Sequence, residues 1–258
     1  MKKWFDYSLS LNNLRKAFNF GVLYQSATEH FGFELLENIP GKNILVLAPH
    51  PDDDVFGLGG TLIKLVKARA NIHIVYFYNG SRGNIRRVKD KSLIAVRKQE
   101  AQQAAKITGV GKLIFWGFED DKAIVGKSSI LAVTNLIKDF QPEVVFLPSF
   151  WDNHPDHHQV CQLFAKVLQQ MPDFKAQLYL YEIWTPIFIN RLVNITAEAE
   201  KKTLAVRAYQ SQLQSRPYDE AILALNKYRA DMLGETGFAE GFFACSPKVF
   251  LEIYKKLI

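Results

Sequence analysis

Cysteine is nearly absent. The 258 residues include two, Cys161 and Cys245, and no C-x-x-C pair. That excludes a zinc ribbon, and two thiols are too few for a disulfide scaffold at this size. Both are expected in the core, which suits a reducing compartment. Long apolar runs are missing too: nothing approaches the ~20 residues that span a bilayer. The opening MKKWFDYSLSLNNLRKAFNFGVLYQ is basic but has no continuous apolar segment, so no export signal is expected and the cytoplasm is the expected location. No GxxxxGK[ST] loop occurs, which excludes a P-loop NTPase. No linker or repeat divides the chain, so one domain is expected. Acidic charge is in modest deficit: 32 Lys and Arg against 26 Asp and Glu leave a net +6. Such a balance fits an anionic substrate, an acidic membrane surface or neither. No nucleic-acid role is expected, because no reading motif accompanies the charge.

What is present is an alternation. Short apolar segments at 43–48, 72–78, 112–116, 143–148 and 177–184 read as buried strands. Helical patterns lie between them at 56–69, 92–108, 128–140 and 155–169, with Thr108-Gly109 as a stop signal. This predicts a single Rossmann-like α/β domain: a mostly parallel sheet with helices on both faces. Residues 1–42 read as a helical extension, with Leu11, Leu14, Phe18, Val22 and Leu23 on one face, 43–212 as the core, and 213–258 as a helical part. Helices are expected at 197–212, 218–233 and 248–257, with GETGFAEGFFACSP as a looser connection.

In such folds ligands bind beyond the carboxyl ends of the strands. Two unusual clusters fall there. His50-Pro51-Asp52-Asp53-Asp54 follows the first strand, and His154-Pro155-Asp156-His157-His158 follows the fourth. Imidazole and carboxylate are the ligand types of a catalytic metal that keeps a position open for water. A further carboxylate can take the water's proton, and a further histidine can act as acid or electrophile. Either cluster alone could be a helix cap or a solvated loop; the pair, at matching strand ends, points to a site. Gly57-Leu58-Gly59-Gly60 follows the aspartates, so it reads as close packing between helix and sheet, not as a dinucleotide fingerprint.

These motifs, APHPDDDVFGLGGT and NHPDHH, resemble those of the LmbE-like (PIG-L) zinc N-deacetylases. Between them lie a similar glycine loop (NGSRGN), an R-x-x-E pair (Arg97, Glu100) and a GFED turn. The resemblance implies zinc held by His50, Asp53 and His157, with Fe2+ also suited to two histidines and an aspartate. It implies Asp52 as general base, His154 as the group that polarises the carbonyl, Asp156 as the carboxylate that orients that histidine, and Arg97 and Asp120 as substrate contacts. Asp54 is expected to cap the helix, and His158 to lie on its solvated face. The implied substrate is an N-acetylated sugar conjugate, anionic or lipid-linked forms included, and a homo-oligomer is compatible with the sequence. Two rivals stay open: a metallo-phosphoesterase drawing on Asp54, Asp156 and His158, and a sugar-binding relative without catalysis. Arg82, Arg86, Arg87, Lys89 and Lys91 form a solvated face or receive a substrate anion. Phe150 and Trp151 stack on a sugar or pack at the strand end.

Overall fold

A computed structural model describes residues 34–84, 88–232, 234 and 236–257. The amphipathic pattern at 11–23 and the basic residues Arg86 and Arg87 lie outside them. One eight-stranded sheet runs β1-β7-β8-β6-β5-β2-β3-β4. The strands are β1 (Glu34–Leu36), β2 (Asn43–Ala48), β3 (Asn71–Tyr78), β4 (Lys112–Phe118), β5 (Val144–Pro148), β6 (Gln177–Tyr181), β7 (Arg191–Asn194) and β8 (Ala239–Cys245). Strand β8 pairs antiparallel with β6 and β7; all other pairs are parallel.

Side chains alternate across each strand, and both faces are covered. Leu45 and Leu47 of β2 join one apolar cluster with Val133 and Ile137 of α3 (Lys127–Phe140), Leu163 and Phe164 of α4 (Pro155–Gln169) and Phe250 of α8 (Pro247–Leu257). Ile44, Val46 and Ala48 face the other way. They pack with Val55 and Leu62 of α1 (Asp53–Lys67), Ala101 and Ala104 of α2 (Ser92–Thr108), and Ala205 and Val206 of α5 (Ala199–Arg207). Burying each Leu, Ile or Val of such a layer contributes roughly 1.5–3 kcal/mol. Helix α2 stops at Gly109, whose φ of 92° lets its N–H reach the Ala105 carbonyl.

The C-terminal part departs from expectation. The segment expected to be a loose connection contains β8, buried along its whole length inside the sheet. Its Glu240 and Gly241 hid the strand, because a charge and a glycine interrupt the apolar run. Strand β7 is four residues long, and β1, three residues, lies within the expected helical extension. The predicted helix at 197–212 is a 3-10 turn (Thr196–Glu198), then α5, then the short α6 (Gln210–Leu213). The helix predicted at 218–233 is α7 (Tyr218–Asp231).

The neighbours of β2 are β5 on one side and β3 on the other. The loops leaving β2 and β5 therefore diverge from a topological switch point, where open α/β sheets bind ligands.

Candidate active site

Helix α1 opens at Asp53, directly after β2 and a Pro51-Asp52 turn. Asp52 sits at φ 151°, a backbone region that L-residues rarely adopt. Such strain persists where surrounding structure fixes it, and functional sites are where it collects. Helix α4 opens at Pro155, with His154 as its N-cap.

The two loops bring His50, Asp53 and His157 together. Asp53 Oδ2 lies 3.2 Å from His50 Nδ1 and 3.3 Å from His157 Nε2. All three residues are buried. Tetrahedral ligands with bonds of about 2.0–2.1 Å stand roughly 3.3 Å apart, so these separations suit one cation. Neither ring nitrogen of His157 is in hydrogen-bond geometry with a neighbour, although both are shielded from solvent. Electrostatics points the same way. Burial works against charge on His50, yet the carboxylates of Asp156 and Asp53 push it up to about 10. Burial likewise opposes charge on His157, and Asp53 and Asp152 push it up to about 9. Burial alone would raise the Asp53 carboxyl, but His157 and His50 hold it well below the usual range. The group is built to hold positive charge, and His50, Asp53 and His157 can hold a metal.

Each imidazole also meets a carboxylate on its far side. His50 Nε2 is 3.0 Å from Asp156 Oδ2. His157 Nδ1 is 3.2 Å from Asp152 Oδ2. Such partners fix ring orientation and raise ligand basicity. The carboxylate of Asp156 was expected on His154, but it serves His50. What His154 receives from Asp156 is the backbone N–H, donated to Nδ1 at 3.1 Å. Asp152 was missed by sequence reasoning. Its signal was position: a carboxylate two residues before His154 in the same short loop.

A second trio, His50, His154 and Asp156, also comes within ligand reach. The residue shared by the two trios is an imidazole. A two-metal phosphoesterase centre is bridged by a carboxylate as a rule, so this arrangement does not favour one.

Asp52 faces Arg97, whose Nη2 lies 2.6 Å from Asp52 Oδ2 and donates to the Pro51 carbonyl at 2.8 Å. Burial drives the Asp52 carboxyl up while Arg97 draws it down, leaving it raised to about 7. Asp54 accepts the Tyr76 hydroxyl at 3.0 Å. That contact ties it to β3, where a helix cap was expected. His158 turns its Nε2 to the Asp152 carbonyl. Burial and the neighbouring His50 and His157 lower His154 to about 4.

A cleft of roughly 200 Å3 opens over this group. Asp120 borders it, yet its carboxylate accepts the Gly80 N–H at 2.8 Å and the Arg82 N–H at 2.6 Å. It thus holds the loop after β3. Arg82 faces Asp121 at 3.4 Å and Lys89 faces Glu119 at 2.8 Å, so two of the described cations of the basic loop are matched by acids. Glu100 accepts from both Ser211 N and Ser211 Oγ at 2.7 Å, which anchors the wall formed by Ser215, Arg216 and Tyr218. Phe150 and Trp151 pack inward on Phe250 and Phe243. The aromatics that line the cleft are Trp184 and Tyr218, edge to face at 5.4 Å.

Residues 45–168 match the family model described as PIG-L, GlcNAc-PI de-N-acetylase. The match spans 124 of the 258 residues, and over them the chain resembles the PIG-L (LmbE-like) family. The matched span includes both clusters, from β2 to the last turn of α4. The chain is 27% identical over 255 residues to a diacetylchitobiose deacetylase of Thermococcus kodakarensis, covering 91% of this chain and 95% of the relative. Its fold follows that of N,N'-diacetylchitobiose deacetylase from Pyrococcus horikoshii, with a TM-score of 0.72 at 24% identity over 95% of this chain and 97% of that one. GalB, a 4-carboxy-2-hydroxymuconate hydratase from Pseudomonas putida KT2440, has the fold as well: TM-score 0.65, 22% identity, 79% and 95% covered. This fold thus carries two kinds of named activity.

Proposed function

We propose that this chain is a zinc-dependent N-deacetylase that removes the acetyl group from a GlcNAc-type amino sugar, releasing acetate and a free amine. One observation carries the reading. A buried His50–Asp53–His157 trio sits beside two further acid–base groups, Asp52 held by Arg97 and His154 held by the Asp156 amide, at the floor of a cleft. The family match and the diacetylchitobiose deacetylase relative support amino-sugar amides as the substrate class.

When bound by His50, Asp53 and His157, a divalent cation would supply Lewis-acid polarisation of the amide carbonyl and ease ionisation of water. Zinc fits that donor set, and Fe2+ does as well. The chain's own groups do the rest. Asp52, raised to about 7, is matched to taking a proton near neutrality. Arg97 holds Asp52 Oδ2, which fixes the carboxylate and favours its ionised form. His154 accepts at Nδ1 from the Asp156 amide, so its proton resides on Nε2. A neutral imidazole of this tautomer donates to the oxyanion as the carbonyl carbon becomes tetrahedral. The C–N bond then breaks, and the proton collected by Asp52 passes to the leaving amine. Trp184 and Tyr218 offer a sugar ring an apolar wall.

A hydratase reading rests on the GalB likeness, which lies in the fold. The two reactions leave different products. Metal-loaded protein should release acetate from N-acetylated amino sugars, assayed as free, disaccharide, anionic and lipid-linked forms, and Asp52→Asn should not. Water added to a conjugated tricarboxylate without any acetate release would replace the deacetylase reading with the hydratase one.

A further inference from the structure

Helix α1 is broken one turn after it delivers Asp53. Leu58 has φ −142° and ψ 22°, well outside helical values. In an unbroken helix the Gly60 N–H would bond to the Phe56 carbonyl. Here both groups are taken up by a buried ion pair. Gly60 N donates to Glu240 Oε1 at 2.8 Å, and Thr61 N donates to Glu240 Oε2 at 2.7 Å. Lys202 Nζ donates to the Phe56 carbonyl at 3.1 Å, to Asn226 Oδ1 at 2.8 Å and to Glu240 Oε1 at 2.7 Å. Both charged side chains have 0% exposure. They come from distant parts of the chain: Lys202 from α5, Asn226 from α7 and Glu240 from β8.

We propose that the Lys202–Glu240 pair is a positioning device for the active site: inserted at the break in α1, it aims the first helical turn, and with it Asp52 and Asp53, at the opposing His157. A side chain inserted into the helical ladder is a recognised cause of a sharp kink. Stability is a weak reason for such a pair, since apolar replacements of buried ion pairs are often neutral or stabilising. The glycines around the break complete the device. A Cβ on Gly57 would fall 2.4 Å from the Tyr181 ring, and one on Gly59 would fall 3.2 Å from Lys202 Cγ. The first turn is thus wedged between β6 and α5, and the pair caps backbone groups on both sides of the break. Lys202 and Glu240 touch neither trio nor cleft, so they act through the turn.

The proposal rests on the metal-site reading above, and the test separates the two. The parent chain, the double variant Lys202→Met/Glu240→Leu and the single variant Glu240→Gln are purified and their folding is checked by thermal unfolding. Metal affinity is measured by competition with a chromogenic chelator, and kcat and KM on the substrate of the parent. A parent that binds no metal would sink the site reading itself. With a binding parent, the double variant should unfold cooperatively yet bind metal at least about tenfold more weakly, the range seen when groups behind a ligand are lost. Its kcat should fall by a similar factor with KM little changed, because the cleft walls are untouched. Glu240→Gln keeps the shape and one acceptor, so it should fall between parent and double variant in both readings. Parental affinity and kcat in either folded variant would overturn the proposal. So would a Glu240→Gln chain that fails to fold, since the pair would then be a folding requirement.

Discussion

At the kink of α1 every charged atom is in a well-formed hydrogen bond, whereas around its N-terminus several polar atoms are not. Lys202 spends its three N–H donors on three acceptors, and both oxygens of Glu240 receive backbone amides. Around Asp53, by contrast, the two nitrogens of His157 and Asp54 Oδ1 are buried without hydrogen bonds. Leaving a buried polar atom unpaired costs about 1–3 kcal/mol. Both clusters are buried, the ion pair fully and the trio nearly so, and both adjoin one helix. The difference therefore lies in purpose: a closed cluster has no valence to offer a ligand, and an open one does. Burial and charge alone would not have told a strut from a site.

The comparison can be broken in order of effect. Asp52→Asn should retain metal and lower kcat by about 10²–10⁴, the usual contribution of a positioned base; elemental analysis beside an acetate assay reads both. Asp152→Asn or Asp156→Asn should weaken metal binding about 10–100-fold by freeing a ligand imidazole to turn. Chelator competition measures this, and unchanged affinity would mean that the far-side carboxylates are ornamental. At the closed cluster, Gly60→Ala should register as lost stability. Its Cβ would stand 2.7 Å from three atoms of Ile195, and overpacking of that kind costs about 1–3 kcal/mol in denaturant unfolding. The smallest effect belongs to the cleft wall. Trp184→Ala should raise KM by a factor corresponding to about 0.5–1.5 kcal/mol of aromatic contact and leave kcat nearly unchanged. A loss confined to kcat would remove Trp184 from the substrate wall.

Much of this was legible in the sequence, for identifiable reasons. β2 and β5 are continuous apolar runs, and each ends in residues that no buried strand would carry. The strand-end rule then places the two loops together, and the structure brings His50, Asp53 and His157 into one group. What stayed hidden depends on directions in space. Asp156 lies two residues from His154, yet its carboxylate points at His50 across the site. Asp120 sits at the cleft but faces backbone amides. Phe150 and Trp151 precede the second cluster and look inward, while Trp184, read as the end of a strand, looks out. Strand β8 was masked by Glu240, a charge that makes sense only once Lys202 and the kinked helix are seen around it.

The most direct test of the account is metal stoichiometry by elemental analysis of the purified chain, with His157→Ala beside it. One equivalent per chain in the parent and a near-complete loss in folded His157→Ala is the predicted result. Full retention of metal in that variant, or two equivalents in the parent, would contradict a single centre built on His50, Asp53 and His157.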